Sequence, residues 1–256
     1  MTRPDKSGGI QMTNRTVEIS PLIWGRVFGF TFLLRFIPAI FGEFFVRSSL
    51  VVPGDAATTA TDIMASEGLF RAGIASMLIV FTLDVVAILA LYAVLKPVNR
   101  NLALLAAFFG LIHVAIAGLN LLSDFFALLL LSGAHYLTAF ETDQLHALVL
   151  LLLNSHRYGF QLGLFFFSLH LFVLGYLVFK SGYLPRILGV LLVVSSFGYL
   201  LDSFALVLLP NYVDYEEMII LVLFLPNLIG EMALALWLLF KGVNVEQWEK
   251  RALESA

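Results

Sequence analysis

Long apolar stretches separated by short polar connections dominate the chain. A helix needs about 20 mostly apolar residues to cross a bilayer. Six stretches reach that length, at residues 22–45, 70–95, 102–126, 158–179, 184–209 and 218–240. The pattern therefore predicts an all-α integral membrane bundle of six transmembrane helices over residues 21–241, with polar tails at 1–20 and 242–256.

Local signals refine these predicted spans. Residues 142–154 are largely apolar but too few to cross a membrane alone, so they could be re-entrant, interfacial or continuous with the fourth span. Pro38 and Pro226 each remove a backbone donor inside a span, and we expect kinks there. Pro53 and Gly54 predict a turn, after which Asp55 is suited to cap a short surface helix.

Composition agrees with a membrane protein and excludes other classes. The chain is 60% apolar and 13% charged, with a mean hydropathy of +0.94, whereas soluble domains are about half apolar and a quarter charged. The net charge of −3 gives no basic surface for nucleic acid. The absence of cysteine excludes disulfides and thiolate chemistry. The polar start of the chain predicts no cleaved signal peptide.

Lysine and arginine mark one side of the predicted bundle. They are concentrated in the two tails and in the short second and fourth connections, at Arg3, Lys6, Arg15, Lys96, Arg100, Lys180, Arg186, Lys241, Lys250 and Arg251. The longer connections, 46–69 and 127–157, carry fewer of these residues. Because cytoplasmic loops are enriched in Lys and Arg, we expect both termini in the cytoplasm and the longer connections outside.

The even-numbered spans end alike. Each has an aromatic residue four positions before a lysine and one ionisable residue 10 to 12 positions before it, namely Asp84, His170 and Glu231. One interpretation is three pseudo-repeated helical hairpins. The other is that an aromatic belt followed by a cytoplasmic lysine is general among membrane helices.

Ionisable side chains inside the spans are the main indication of function, because each costs several kcal/mol unless it is paired or solvated. Helical spacing places many of them on shared faces, which we expect to point into the bundle and form a polar cavity. The candidates for ligand or proton binding are Arg35, Asp84, His113, Asn120, Asp124, His170, Asp202, Asn227 and Glu231. The candidates for an outer mouth are Glu43, Arg71 and His156.

Other interpretations stay open for these residues. Arg35 paired with Asp84 or Glu231 could form a purely structural ion pair. His113 and His170 lie at a similar depth and could ligate haem or a metal ion, although no HExxH or other tight ligand spacing is present. We therefore expect no cofactor. The glycine pairs Gly25/Gly29 and Gly159/Gly163 permit close helix approach, inside the chain or in an oligomer.

Four runs of sequence resemble a known family. They are GEFFVRSSLVVPGDA at 42–56, LKPVNR at 95–100, SGYLPRILGVLL at 181–192 and GEMALALW at 230–237. Over about residues 20 to 243 the chain is similar to bacterial multi-pass membrane proteins catalogued as domain of unknown function 4386. The resemblance implies a protein of the bacterial cytoplasmic membrane. It supplies no catalytic or ligand-binding residues.

Three functions compete at this point. The first is a carrier or binding protein for a small molecule, with proton coupling through Asp84, His113, His170 and Glu231. The second is an intramembrane enzyme or redox protein that uses the two histidines. The third is a non-catalytic membrane partner whose polar residues hold its helices together.

Overall fold

The computed structural model describes residues 20–254, with the backbone alone at Val213 and at residues 216–227. Two 3-10 turns occupy His135–Ala139 and Tyr212–Asp214. No strand occurs within 20–254, and the predicted all-α class is confirmed. The helices are α1 (Pro21–Leu50), α2 (Ala56–Ala65), α3 (Glu67–Leu95), α4 (Arg100–Leu130), α5 (Thr142–Ser181), α6 (Arg186–Leu208), α7 (Glu216–Phe240) and α8 (Val245–Glu254).

The protein is an all-α membrane bundle. Among the described residues, α1 and α3 to α6 are each long and apolar enough to cross a membrane. The sixth predicted span coincides with α7, whose side chains are described from Leu228 onward. After α7 the chain bends by 103° into the short helix α8. The expectations for Pro226 and Asn227 fall outside the described side chains.

The spanning helices form a closed ring in chain order. Each packs on the next, from α1 to α3, α4, α5, α6 and α7, and α7 returns to pack on α1. Their inner faces are apolar and buried, with Leu91, Leu177, Leu192 and Leu234 in one continuous core. Large apolar side chains such as Phe30 remain exposed on the outside. A bilayer would cover this outer surface.

Glycines bring neighbouring helices of the ring into close contact. A Cβ atom on Gly29 would lie 2.6 Å from the carbonyl oxygen of Ala235, so α1 and α7 meet backbone to backbone. Gly25 also faces α7, whereas Gly159 and Gly163 face α4. Both glycine pairs therefore pack inside the chain, and neither face is free for the oligomer contact considered above.

Helix α1 changes its geometry along its length. Its α-helical pattern is interrupted at Arg35, three residues before Pro38, and it becomes a π-helix over Phe41–Arg47. At 3.6 residues per turn, a regular α-helix would turn Arg47 about 120° away from Arg35. A π-helix turns less per residue, so it removes most of that difference. Both arginines consequently reach into the bundle.

Helix α5 settles the position of residues 142–154. It is one helix of 40 residues, about 60 Å long, which is twice the usual thickness of the hydrocarbon core. Its start is fixed by a capping box between Glu141 and Gln144. Residues 142–154 are thus continuous with the fourth span, and α2 packs against α5.

The connections contain caps that hold helix ends in place. Asp55 accepts a hydrogen bond from the backbone of Thr58 (2.9 Å), as its predicted role as an N-cap requires. The two hydrogen bonds from Thr58 lower the pKa of the Asp55 carboxyl. Near the C-terminus, Tyr183 and Trp248 both donate to the Val94 carbonyl at the end of α3. Burial raises the pKa of the Tyr183 phenol.

Candidate functional site

A cavity of about 40 Å³ lies at the centre of the ring, with residues of all six ring helices in its walls. That volume has room for about three water molecules. Most of its surface is apolar. Its polar and aromatic walls are formed by Phe28, Phe32, Arg35, Asp84, His113, Phe167, His170 and Glu231.

An arginine bridged to two carboxylates forms one wall of the cavity. Arg35 Nη1 donates to Asp84 Oδ1 at 2.8 Å, and Nη2 donates to Glu231 Oε2 at 3.4 Å. The hydroxyl of Tyr199 donates to the other oxygen of Glu231 at 2.9 Å. The three charged side chains are 21%, 12% and 6% exposed. We call Arg35, Asp84, Glu231 and Tyr199 the central cluster.

The central cluster carries more negative than positive charge. One guanidinium faces two carboxylates, so the ionised cluster has a net charge of −1. Uncompensated charge in a low-dielectric region is costly. The cluster therefore favours binding of a proton or another cation. The Arg35 guanidinium also lies 4.2 Å from the ring centroid of Phe32, within the range of a cation–π contact.

The two predicted histidines line the same cavity but do not face each other across a cofactor space. His170 Nδ1 lies 2.7 Å from the Ala106 carbonyl oxygen, whereas His113 Nδ1 has no hydrogen-bond partner among the described side chains and backbone. The Phe167 ring contacts both imidazoles, with centroid distances of 5.0 and 5.7 Å. A porphyrin fits neither this arrangement nor the cavity volume.

Metal binding is likewise not supported by the donor geometry. Within the described part of the chain, no group of three or more His, Asp or Glu side chains is placed to hold a metal ion. Both histidines line the central cavity.

A second polar cluster lies between α1, α4 and α5. Arg47 Nη1 donates to Asp124 Oδ1 at 3.2 Å, and Nη2 donates to the Leu153 carbonyl oxygen at 2.6 Å. His156 Nδ1 lies 2.9 Å from Asp124 Oδ2, and Asn120 donates to the His156 carbonyl. We call Arg47, Asn120, Asp124 and His156 the outer cluster, after the side of the membrane on which the sequence predicts this end of the bundle. It ties three helices together.

The other predicted residues lie outside these two clusters. Glu43 lines a small cavity of about 20 Å³ beside the outer cluster. Arg71 is 55% exposed and pairs with Glu67 one helical turn away, and its place at an outer mouth stays a prediction. Asp202 accepts a hydrogen bond from Tyr212, which in turn accepts one from Gln161, both at 2.8 Å.

The three residues at matching positions of the even-numbered spans meet in one place. Asp84, His170 and Glu231 all line the central cavity, although they come from α3, α5 and α7. This convergence is what a threefold arrangement of hairpins would produce. The repeat itself stays a prediction.

Sequence reasoning missed two members of the clusters. Arg47 falls in the predicted first connection, 46–69, beyond the end of the predicted span, and was therefore not among the candidates. Tyr199 was not singled out, although it shares a helical face with Ser195 and Asp202 at spacings of four and three. That spacing was the available signal for Tyr199, and Glu43 followed by Arg47 at i, i+4 was the signal for Arg47.

Comparisons with known proteins identify relatives without adding a reaction. A family model described as "Domain of unknown function (DUF4386)" matches residues 27–242. An "Uncharacterized protein" of Archaeoglobus fulgidus is 33% identical over 174 residues, which cover 68% of this chain and 86% of that protein. No solved structure matches the chain.

Proposed function

Because the chain belongs to the DUF4386 family, whose description names no activity, we propose from the geometry that it binds a small molecule in the central cavity and carries it across the membrane with proton coupling. One observation carries the proposal. Arg35, shared by Asp84 and Glu231, forms the polar wall of a cavity in which the spanning helices converge.

The central cluster has the properties that proton coupling requires. The cluster has two carboxylates and one guanidinium, so one negative charge is left over when all three groups are ionised. Binding one proton restores neutrality in the membrane interior. Asp84 and Glu231 come from different helices, α3 and α7. Protonation of either one weakens its attraction to Arg35 on α1, so proton binding is linked to the packing of three helices.

The outer cluster supports the same proposal by closing one end of the bundle. Arg47 holds α1 to Asp124 on α4 and to Leu153 on α5. A route from the central cavity towards that side requires these contacts to separate. In this proposal the outer cluster is the closed outer end of the pathway, and the described conformation is closed there.

The distribution of basic residues extends the proposal to location and orientation. Lys96 lies in the turn between α3 and α4, Lys180 and Arg186 flank the turn between α5 and α6, and α8 carries Lys250 and Arg251. We propose that this side faces the cytoplasm, with both termini there, and that the protein lies in the cytoplasmic (inner) membrane of a bacterial cell.

Proton-linked uptake into proteoliposomes tests the proposed function. Purified protein is reconstituted with a pH-sensitive dye inside the vesicles, and small anions, neutral compounds and cations are added in turn. We expect at least one class to move protons across the membrane. Asp84→Asn and Glu231→Gln should each lower the initial rate about tenfold or more, because each removes a proton-binding carboxylate.

Glu67→Gln is the matched control, since Glu67 is an exposed carboxylate outside the cavity. Its rate should equal that of the unchanged protein. Orientation is checked in the same vesicles by labelling a cysteine introduced at Gln247, because the chain has no cysteine of its own. Unchanged rates in both Asp84→Asn and Glu231→Gln would refute proton coupling through the central cluster.

A further inference from the structure

We infer that the central cavity takes a compact organic cation as its substrate and exchanges it for one proton, an inference that rests on the proposed carrier function. The observation behind it is the combination of surplus carboxylate with aromatic walls in one small space. Phe28, Phe32 and Phe167 line the cavity together with Asp84 and Glu231.

The charge balance selects the sign of the substrate. Arg35 contributes one positive charge, and Asp84 and Glu231 contribute two negative charges, so the empty ionised site carries −1. One bound monovalent cation brings the total to zero, and so does one bound proton. An anion would raise the negative charge in a region of low dielectric, which is unfavourable.

Hydrogen bonding and exposure distinguish the two carboxylates of the cluster. Both oxygens of Glu231 accept hydrogen bonds, from Arg35 and from Tyr199. Asp84 accepts from Arg35 through Oδ1, and its side chain is 12% exposed against 6% for Glu231. Asp84 is therefore the carboxylate at which we place the bound proton or positively charged group.

Aromatic walls favour an organic cation over a strongly hydrated metal ion. The face of an aromatic ring attracts ammonium and guanidinium groups, and quaternary ammonium ligands are bound in this way. The protein already uses this contact, because the Arg35 guanidinium lies over Phe32 at 4.2 Å. The apolar lining can cover alkyl groups, whereas it offers few of the oxygens that a hard metal ion needs.

The cavity volume limits the substrate to a compact one. About 40 Å³ corresponds to about three water molecules, which is the space that a small alkylammonium ion can take by displacing water. Because a cation and a proton neutralise the same surplus charge, they compete for the site. Competition of this kind makes the transport an exchange of one cation for one proton.

Several groups around the site could respond to pH. They come from every ring helix and comprise Arg35 on α1, Asp84 on α3, His113 on α4, His170 on α5, Tyr199 on α6 and Glu231 on α7. A protonated histidine would repel a cation, and a protonated carboxylate would no longer attract one. Both effects act in the same direction, so acid weakens cation binding whichever group takes the proton.

Three probes of similar size and different charge test the inference in the purified full-length protein. They are tetramethylammonium, neutral tert-butanol and methanesulfonate, and binding is measured by calorimetry at neutral and acidic pH. We expect saturable one-to-one binding of tetramethylammonium only. Its affinity should fall by up to about tenfold for each pH unit of acidification over the range where a proton competes.

Variants then locate the binding. Asp84→Asn should weaken tetramethylammonium binding at least about tenfold, because the surplus charge is lost, while Glu67→Gln should bind as the unchanged protein does. Equal binding of methanesulfonate or tert-butanol, or binding of tetramethylammonium that is insensitive to pH, would overturn the inference. Both of these overturning results are measured on the unchanged protein, so they do not depend on how well a variant folds.

The outcome is distinguishable from failure of the proposed function. If proton-linked transport depends on Asp84 and Glu231 but is driven by an anion or a neutral compound, the carrier proposal stands and the cation inference is wrong. If both variants transport normally, the carrier mechanism itself fails.

Discussion

Arg35 combines hydrogen bonds to carboxylates with a cation–π contact in a single side chain, and this explains how a charge can reside in the membrane interior. It donates to Asp84 and Glu231, and its guanidinium lies over the ring of Phe32. A buried ion is tolerated when its hydrogen-bonding groups are satisfied by nearby partners. Loss of one carboxylate leaves Arg35 with the other, so either acid can bind a proton while one ion pair persists.

The packing of Arg35 depends on a small residue two turns earlier in the same helix. Gly29 lies against α7, the helix that carries Glu231, and an added Cβ would lie 2.6 Å from a backbone oxygen of that helix. We expect Gly29→Ala to lower the free energy of unfolding by about 1–3 kcal/mol, because the backbones must separate. Thermal or denaturant unfolding in detergent measures this.

Gly118→Ala in α4 is the matched control, since nothing lies within 4 Å of its added Cβ. Alanine forms helices better than glycine by about 1 kcal/mol, so this variant should be as stable as the unchanged protein or more so. Similar losses in the two variants would show that the contact between α1 and α7 is looser than described.

At the scale of elements, the π-helical segment of α1 determines which residues meet. It turns Arg47 towards the interior, where that side chain joins α1 to α4 and α5. The hydrophobic pattern predicted a span there, and Pro38 predicted an irregularity within it. The pattern could not predict the π-helical segment. The energetic cost of that segment is offset by the contact of Arg47 with Asp124, and Asp124 is far away in sequence.

A double-mutant cycle on Arg47 and Asp124 tests the role of the outer cluster in stability. The pair is 17% and 5% exposed, and we expect Arg47→Met and Asp124→Leu to show a coupling free energy above about 1 kcal/mol in unfolding measurements. Arg71→Met with Glu67→Leu serves as the control, because that pair is 55% exposed on both sides. Its coupling should be about 0.5 kcal/mol or less.

Equal coupling in the two cycles would contradict the described outer cluster. It would mean that water reaches Arg47 and Asp124 as freely as it reaches the exposed pair. The closed outer end of the pathway would then have no energetic basis.

At the scale of the whole molecule, local signals predicted the parts better than their arrangement. Apolar length located the spans, the Asp55 cap began α2, and the cost of charge in the membrane singled out Arg35, Asp84 and Glu231 as interior residues. The sequence offered Asp84 or Glu231 as a partner for Arg35, but no local signal indicated that α7 packs on α1, the contact that brings Glu231 to Arg35. That contact depends on long-range packing, which the sequence of a single span does not indicate.

The ring also explains why two predicted residues lie apart from the cavity. Arg71 lies in the first turns of α3 and pairs with Glu67 on the exposed surface, away from the central cavity. Asp202 is hydrogen-bonded to Tyr212 in the turn after α6. Helical phase placed Asp202 on a suitable face, but phase does not give depth within a ring of six helices.

The central claim is that the carboxylates of the central cluster bind and release a proton inside the membrane. Infrared difference spectroscopy of the reconstituted protein across a pH step measures this directly, because a protonated carboxyl has its own carbonyl absorption. We predict such a band in the unchanged protein and in Glu67→Gln, and its loss or shift in Asp84→Asn or Glu231→Gln. A band that is identical in all four proteins would contradict the account.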